Sequence, residues 1–318
     1  MGRPADHRDR LIELISGGVA SIGGAPAVLP WHPERMPHFT TEDGTLLHYR
    51  TQGAGPPLIC VPGGPGRSSV YLDRLGGLDE HRTLVLLDPR GAGESAMPSD
   101  ATTLAYPSLA EDIEELRDHL GLDQIELLGH SAGAVVAEVY AARHPARIRR
   151  LVLVTPTARL QAVTPDTAAV RAARFAEQWY SDAAQAMVAL DGVTSIEEAM
   201  PLLDRVAPFY YGRWDDHARG HAAGYRTQVS IGAQVGYSGG PVVRDFDRVG
   251  ALAALLAFPA PTLVVAGALD GGSGVAGAEF VSRSIADSEL VVMDDCGHYP
   301  WVDEPAKFAQ LVGSFLTA

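Results

Sequence analysis

From Thr45 onward, apolar residues fall into short aliphatic runs separated by longer stretches in which they recur every three or four positions. That alternation predicts strands and amphipathic helices in turn, the signature of a mostly parallel sheet covered on both faces. The runs predict strands at 46–50, 58–61, 83–87, 125–129, 151–155, 262–266 and 290–293. Most are continuously apolar, as doubly covered strands should be. One helix can be read in detail: Ser108 and Glu111 suit a capping box, Leu109, Ile113, Leu116 and Leu120 repeat at helical spacing, and Gly121 ends it. After residue 155 the alternation stops, and until about residue 260 the pattern is helical, including 167–190, 196–203 and 214–233. The expected division is an N-terminal arm (1–38), a sheet core (39–157 and 258–318) and an inserted helical cap (158–257).

Composition narrows the function classes. Of 318 residues 46% are hydrophobic and 20% charged, which excludes collagen-like, coiled-coil and fully disordered chains. With 39 acidic and 25 basic residues the formal net charge is -14, which repels phosphate backbones and argues against a nucleic-acid partner. Cys60 and Cys296 are too few for a disulfide framework or a structural zinc site, and both are expected to be reduced and buried. No apolar run approaches the ~18 residues that cross a membrane. Arg3, Arg8 and Arg10 precede a mildly apolar stretch, but Glu13 interrupts it and Ala25-Pro26-Ala27 is a poor cleavage site. An arm is expected there, with a cytoplasmic location, no cofactor and no membrane partner.

The chemistry concentrates at Gly129-His130-Ser131-Ala132-Gly133, between a predicted strand and an apolar helix. G-x-S-x-G at such a turn is a nucleophile elbow: the tight turn strains the serine, and only small neighbours avoid a clash. Ser131 is the candidate nucleophile, with the Ala132 amide aimed where an oxyanion develops. A serine hydroxyl needs a base and an orienting acid, in chain order Ser, acid, His. Four histidines follow Ser131. His144 ends the nucleophile helix and suits a structural role, and His217 and His221 lack a third ligand for a metal site. His298, held by Gly297 and Pro300 after the last strand, is the candidate base. Asp270, just after the strand at 262–266, is the candidate acid, with Asp294 and Asp295 as alternatives. The second oxyanion donor is expected from Gly64, or its neighbour Gly63, in Pro62-Gly63-Gly64-Pro65-Gly66. A phosphate loop would need a G-K-[ST] ending, which Arg67-Ser68 does not supply.

Three segments together carry a family resemblance: Gly63-Gly64-Pro65-Gly66, Asp88-Pro89-Arg90-Gly91-Ala92-Gly93-Glu94-Ser95, and the elbow. Over residues 39–318 the chain resembles the α/β-hydrolase superfamily, and within it the proline iminopeptidase-like branch. The resemblance implies an α/β-hydrolase fold with a cap and a Ser131-Asp270-His298 triad. It also implies removal of a small N-terminal aminoacyl group from a peptide or other amine. Pro62 and Ala132 stand where that branch usually has histidine and tryptophan, which leaves a carboxylesterase or lactonase acting on a small hydrophobic acyl substrate as the alternative. A non-catalytic receptor on the same fold is a further one. Tyr210-Tyr211-Gly212-Arg213-Trp214-Asp215-Asp216 is similar to the tryptophan-acid part of the branch's amine-binding pattern. Asp215 is therefore either an amine partner or an acid in a helix's first turn. Phe209, Tyr210, Tyr211 and Trp214 either wall a pocket or pack the cap. Asp88 and Arg90 are expected to pair with each other as scaffold.

Overall fold

A computed structural model describes residues 37–64, 66–193, 195–239 and 246–318. Among the described residues eight strands form one sheet in the order β1-β2-β4-β3-β5-β6-β7-β8. They are β1 (His38–Thr40), β2 (Leu46–Gly53), β3 (Pro57–Val61), β4 (Thr83–Leu87), β5 (Ile125–His130), β6 (Ile148–Val154), β7 (Thr262–Gly267) and β8 (Ser288–Met293). The pairs β1–β2 and β2–β4 are antiparallel, and every other pair is parallel. All seven predicted strands are present. The eighth, β1, is three residues long with Phe39 as its one buried side chain, too short for a period to register.

The central strands are buried on both faces, and alternate residues serve different cores. Ile59, Val85, Leu127, Leu153 and Val264 enter one apolar cluster. Their neighbours Leu58, Leu84, Leu128, Val152 and Leu263 enter the other. The first face is covered by α1 (Tyr106–His119) and α2 (Ala132–Arg143), and the second by α12 (Pro305–Thr317) with the 3₁₀ turns Ser69–Leu72 and Leu75–Glu80. Truncating a fully buried leucine such as Leu128 to alanine is expected to destabilise by about 2–5 kcal/mol. Because α2 is packed all round, its apolar residues show no stripe, and the buried Glu138 is an exception within it.

The expected capping box is absent. Ala105 is the N-cap of α1 without a side-chain hydrogen bond, Pro107 opens the first turn, and Ser108 already lies inside the helix. Glu111 instead accepts from Arg143 Nη1 at 2.8 Å and pairs with His144 Nε2 at 3.0 Å. The C-terminus is as the sequence predicts. Gly121 takes φ 70°, its N–H donates to Asp118 and the Leu122 N–H donates to Arg117, a Schellman closure.

Between β6 and β7 the described residues contain helices and no strand: α3 (Ala168–Ala172), α4 (Tyr180–Ala189), α5 (Ile196–Val206), α6 (Asp216–Ala223), α7 (Tyr225–Gln228), α8 (Ile231–Gly239) and α9 (Arg248–Leu255). Two predicted helices are broken. The stretch 167–190 divides into α3 and α4, and 214–233 divides at Gly224 and again at Val229, which is drawn into an antiparallel bridge with Arg67. Ala183, Ala186, Leu190, Ala199, Val206 and Phe209 form a separate small apolar cluster in this region. After β7 come α10 (Gly274–Arg283) and, beyond β8, α11 (Pro300–Asp303). The expected arm lies outside the described residues except for Pro37 and His38.

Candidate active site

β5 ends at His130 and α2 begins at Ala132, so Ser131 alone makes the turn. It does so at φ 55°, ψ -116°, a conformation L residues avoid. The flanking glycines make this possible: a Cβ on Gly129 would lie 2.6 Å from the Gly133 carbonyl, and one on Gly133 would lie 2.4 Å from that of Val61. The Ser131 N–H donates to Val154 O at 2.9 Å, which fixes the turn to the neighbouring strand.

The carboxyl ends of β7 and β8 supply the acid and the imidazole. Asp270 is buried, and its Oδ2 lies 2.8 Å from His298 Nδ1. Burial alone would raise the Asp270 carboxyl, but the His298 charge and hydrogen bond, with the Gly272 and Ser273 amides on Oδ1, hold it below its ordinary value. An acceptor-only carboxylate on Nδ1 requires the proton there, so Nε2 is the basic nitrogen. Among the described residues no hydrogen bond joins Ser131 Oγ to His298, a contact that in substrate-free enzymes often tightens only on binding. The His298 carbonyl accepts from Thr155 Oγ1 at 3.0 Å, and its N–H donates to Tyr210 O at 2.7 Å.

On the opposite side of Ser131 the loop after β3 brings in the glycines. Gly63 approaches so closely that a Cβ would meet Ser131 Cβ at 2.6 Å. Its N–H is already committed, donating to Tyr71 Oη at 2.6 Å. Tyr71 in turn donates to His130 Nδ1 at 2.6 Å, and His130 Nε2 donates to the His298 carbonyl at 2.9 Å. Because that carbonyl can only accept, the chain of bonds fixes the His130 tautomer. Burial, then the neighbouring His298 and Arg67, push the His130 imidazole far down, so it is neutral. Of the two glycines left open by the sequence, Gly64 is the one with an uncommitted amide. Neither it nor Ala132 donates to any described atom, and Gly64 takes φ +94°.

A model of the alpha/beta hydrolase fold matches residues 56–305. The chain belongs to that family. As an α/β-hydrolase it is 24% identical over 271 residues to a proline iminopeptidase of Heyndrickxia coagulans, covering 84% of this chain and 92% of the relative. Among solved structures it resembles an esterase from Exiguobacterium antarcticum, with a TM-score of 0.67, 22% identity and coverage of 88% and 99% of the two chains. It also resembles the enol-lactonase from Burkholderia xenovorans, with a TM-score of 0.65, 22% identity and coverage of 89% and 100%.

Within this α/β-hydrolase the residues between β6 and β7 that the sequence singles out divide. Tyr210 packs edge-on against His298 with ring centroids 5.6 Å apart. Tyr211 is buried, hydrogen-bonded to His221 Nδ1 at 2.7 Å and packed on Tyr299. Trp214 packs beside Tyr211 and under the Arg219 guanidinium. Asp215 is the exposed N-cap of α6, accepting from the Ala218 N–H at 2.9 Å, with Arg213 as its ionic neighbour, and no hydrogen bond or ion pair among the described residues joins it to Ser131 or His298. Asp215 thus caps α6, and Asp216 is the acid of its first turn. Asp294 and Asp295 are exposed, and no hydrogen bond ties either to His298.

Other expectations resolve the same way. Both nitrogens of His221 are engaged, by Tyr211 Oη and by the Tyr71 carbonyl at 3.0 Å, and burial pushes its pKa down to about 4. Asp88 and Arg90 do not pair with each other. Arg90 is bonded to Asp112 and Asp43, whereas Asp88 receives Ser68, Ser69, His48 and the Glu94 amide. Gly93 is needed there because a Cβ would lie 2.1 Å from Asp88 Oδ2. Cys60 and Cys296 are buried thiols. His38, His48 and Glu94 offer three donor atoms within 4.8 Å of one another, the one such group among the described residues, and none is bonded to Ser131, Asp270 or His298. No described helix is long and apolar enough to cross a membrane.

Sequence reasoning missed Tyr71, His130, Thr155 and Asp303. Asp303 Oδ2 accepts from both Gly212 N at 2.9 Å and Gly297 N at 2.8 Å, tying the loop before α6 to the His298 loop. His130 stood inside the motif itself. The other three carry no spacing signal, because their role depends on which loops meet.

Proposed function

We propose that this chain is a serine hydrolase that works through an acyl-enzyme, with Ser131 as nucleophile, His298 as base and Asp270 as the group that orients it. The observation that carries the reading is the 2.8 Å contact of His298 Nδ1 with buried Asp270, beside a serine held on a strained elbow. His298 Nε2 takes the Ser131 proton as Oγ attacks a carbonyl, and Asp270 stabilises the imidazolium. The Gly64 and Ala132 amides stabilise the oxyanion, and His298 returns the proton to the leaving group. Water activated by His298 then releases the acid. Residues 158–257 act as a cap that closes over this centre.

For the substrate, the geometry favours a small carboxylic ester or lactone. The carboxylate offered for an N-terminal amine, Asp215, is spent as an exposed helix cap. Removal of an N-terminal aminoacyl group is the second reading, supported by the proline iminopeptidase relative that spans most of both chains. Turnover of 4-nitrophenyl butyrate and of prolyl and alanyl 4-nitroanilides by the wild type and Ser131→Ala tests both. Ester turnover that is lost in Ser131→Ala, with the anilides intact, is expected. Anilide turnover that depends on Ser131 would move the assignment to the aminopeptidase reading. Ester turnover that survives in Ser131→Ala would overturn the nucleophile.

A further inference from the structure

Among the described residues five arginines are buried: Arg67, Arg82, Arg90, Arg117 and Arg174. Four have a carboxylate partner, respectively Glu126, Asp112, Glu114 and Glu177 for the last four. Arg67 has none within 4.0 Å among the described residues, although it is 2% exposed. Its neighbours are neutral. Nε and Nη2 donate to Gln228 Oε1 at 3.1 and 2.7 Å, and Nη1 donates to Tyr299 Oη at 3.3 Å. The guanidinium lies 3.9 Å above the Tyr71 ring centroid and 5.3 Å from that of Tyr225. A guanidinium has five N–H donors, so one on each Nη is left over.

The position of this cation gives it meaning. A Cβ on Gly64 would lie 2.9 Å from Arg67 Cβ, so the side chain springs from beside the proposed oxyanion donor. The tyrosine beneath it is the one that holds the Gly63 amide and His130, and Tyr299 directly follows His298. An uncompensated charge taken out of water is strongly unfavourable, and a guanidinium with paired free donors matches a carboxylate.

We infer that Arg67 is an anion subsite: the substrate carries a carboxylate within a few bonds of the scissile carbonyl, as in a half-ester of a dicarboxylic acid or a carboxylate-bearing lactone. The inference deepens the serine hydrolase reading and rests on it for the kinetic arm of its test. Arg67 also joins the core to the cap through Gln228 and Val229, a tie that needs no charge.

The test compares kcat/KM for 4-nitrophenyl hydrogen glutarate with that for neutral 4-nitrophenyl pentanoate, and for 4-carboxyphenyl butyrate with that for phenyl butyrate, so that an anion on either side is read. Wild type, Arg67→Gln and Gln228→Glu are compared; the last supplies an internal carboxylate to the same guanidinium. In one of the two pairs a preference of about 30-fold for the anionic ester is expected in the wild type. It should fall towards unity in both variants. A purely structural Arg67 would alter folding without moving that ratio. No anionic preference in either pair, or one that persists in both variants, overturns the inference while leaving the serine hydrolase reading intact if the neutral esters still turn over. If no ester turns over, the ester reading of the serine hydrolase fails by itself, and calorimetry with glutarate decides the subsite. Binding to the wild type that is lost in Arg67→Gln sustains it, and no binding, or equal binding, overturns it.

Discussion

The two sides of Ser131 are built on different principles. On the β7–β8 side the contact is a hydrogen bond to a charged group, His298 Nδ1 on a buried Asp270 held below its ordinary pKa. On the side of the loop after β3 the contacts are neutral hydrogen bonds in a line, from Gly63 through Tyr71 and His130 to the His298 carbonyl. In the proposed mechanism the carboxylate side sets proton chemistry, so residue type is decisive there. The neutral side sets position, so shape and satisfied hydrogen bonds are decisive. A substitution on the first should damage rate with little change in fold, and one on the second should damage both.

The largest separation is expected from Asp270→Asn, which leaves an amide where a carboxylate fixed the tautomer. A fall in kcat of roughly 10⁴-fold, with Tm little changed, is expected in steady-state assays of the proposed ester hydrolysis. Tyr71→Phe should act on the other side. It strands the buried Gly63 amide and frees His130, so we expect kcat to drop roughly 10–100-fold with a loss of about 1–3 kcal/mol in denaturant unfolding. If Tyr71→Phe left stability intact and cut kcat as deeply as Asp270→Asn, the distinction between the two sides would fail.

The buried Glu138 of α2 sharpens the comparison through pH. Burial raises its carboxyl from 4.5 to about 8, with Gln161 as its one hydrogen-bond donor among the described residues. Between those values the folded state holds a proton that the unfolded state lacks, so this group makes stability fall as pH rises and level off above about pH 8. Asp270 has the opposite sign. Its contribution is present above its ordinary pKa and is lost as pH falls through the depressed one. Glu138→Gln should raise Tm relative to the wild type more at pH 9 than at pH 5. An equal difference at both would contradict the assignment.

The smallest effect is expected at Asp215. Asp215→Ala removes an exposed N-cap and should lower stability by about 1 kcal/mol without altering kcat/KM for esters or anilides. A selective loss of anilide turnover would restore it as an amine partner.

What the sequence made legible follows the same division. The central strands announce themselves because burial on both faces demands aliphatic runs, and the elbow does so because only glycines fit beside a serine at φ 55°. Asp270 and His298 could be ordered by chain position and residue chemistry. Tyr71, Asp303 and Thr155 could not, since each is recruited by loops distant in sequence that happen to meet. The helix breaks at Gly224 and Val229 were equally hidden, because Val229 leaves the helix to pair with Arg67, a partner distant in sequence. Local signals also misled at Ser108, where Pro107 and the backbone start the helix earlier than the capping pattern indicates.

The central claim is that Ser131 is the residue that becomes acylated. Intact-mass spectrometry and peptide mapping after treatment with a fluorophosphonate test it most directly. The account predicts one adduct per chain, located on Ser131 and absent from Ser131→Ala. An adduct on another residue, or an unmodified chain that still hydrolyses esters, would contradict it.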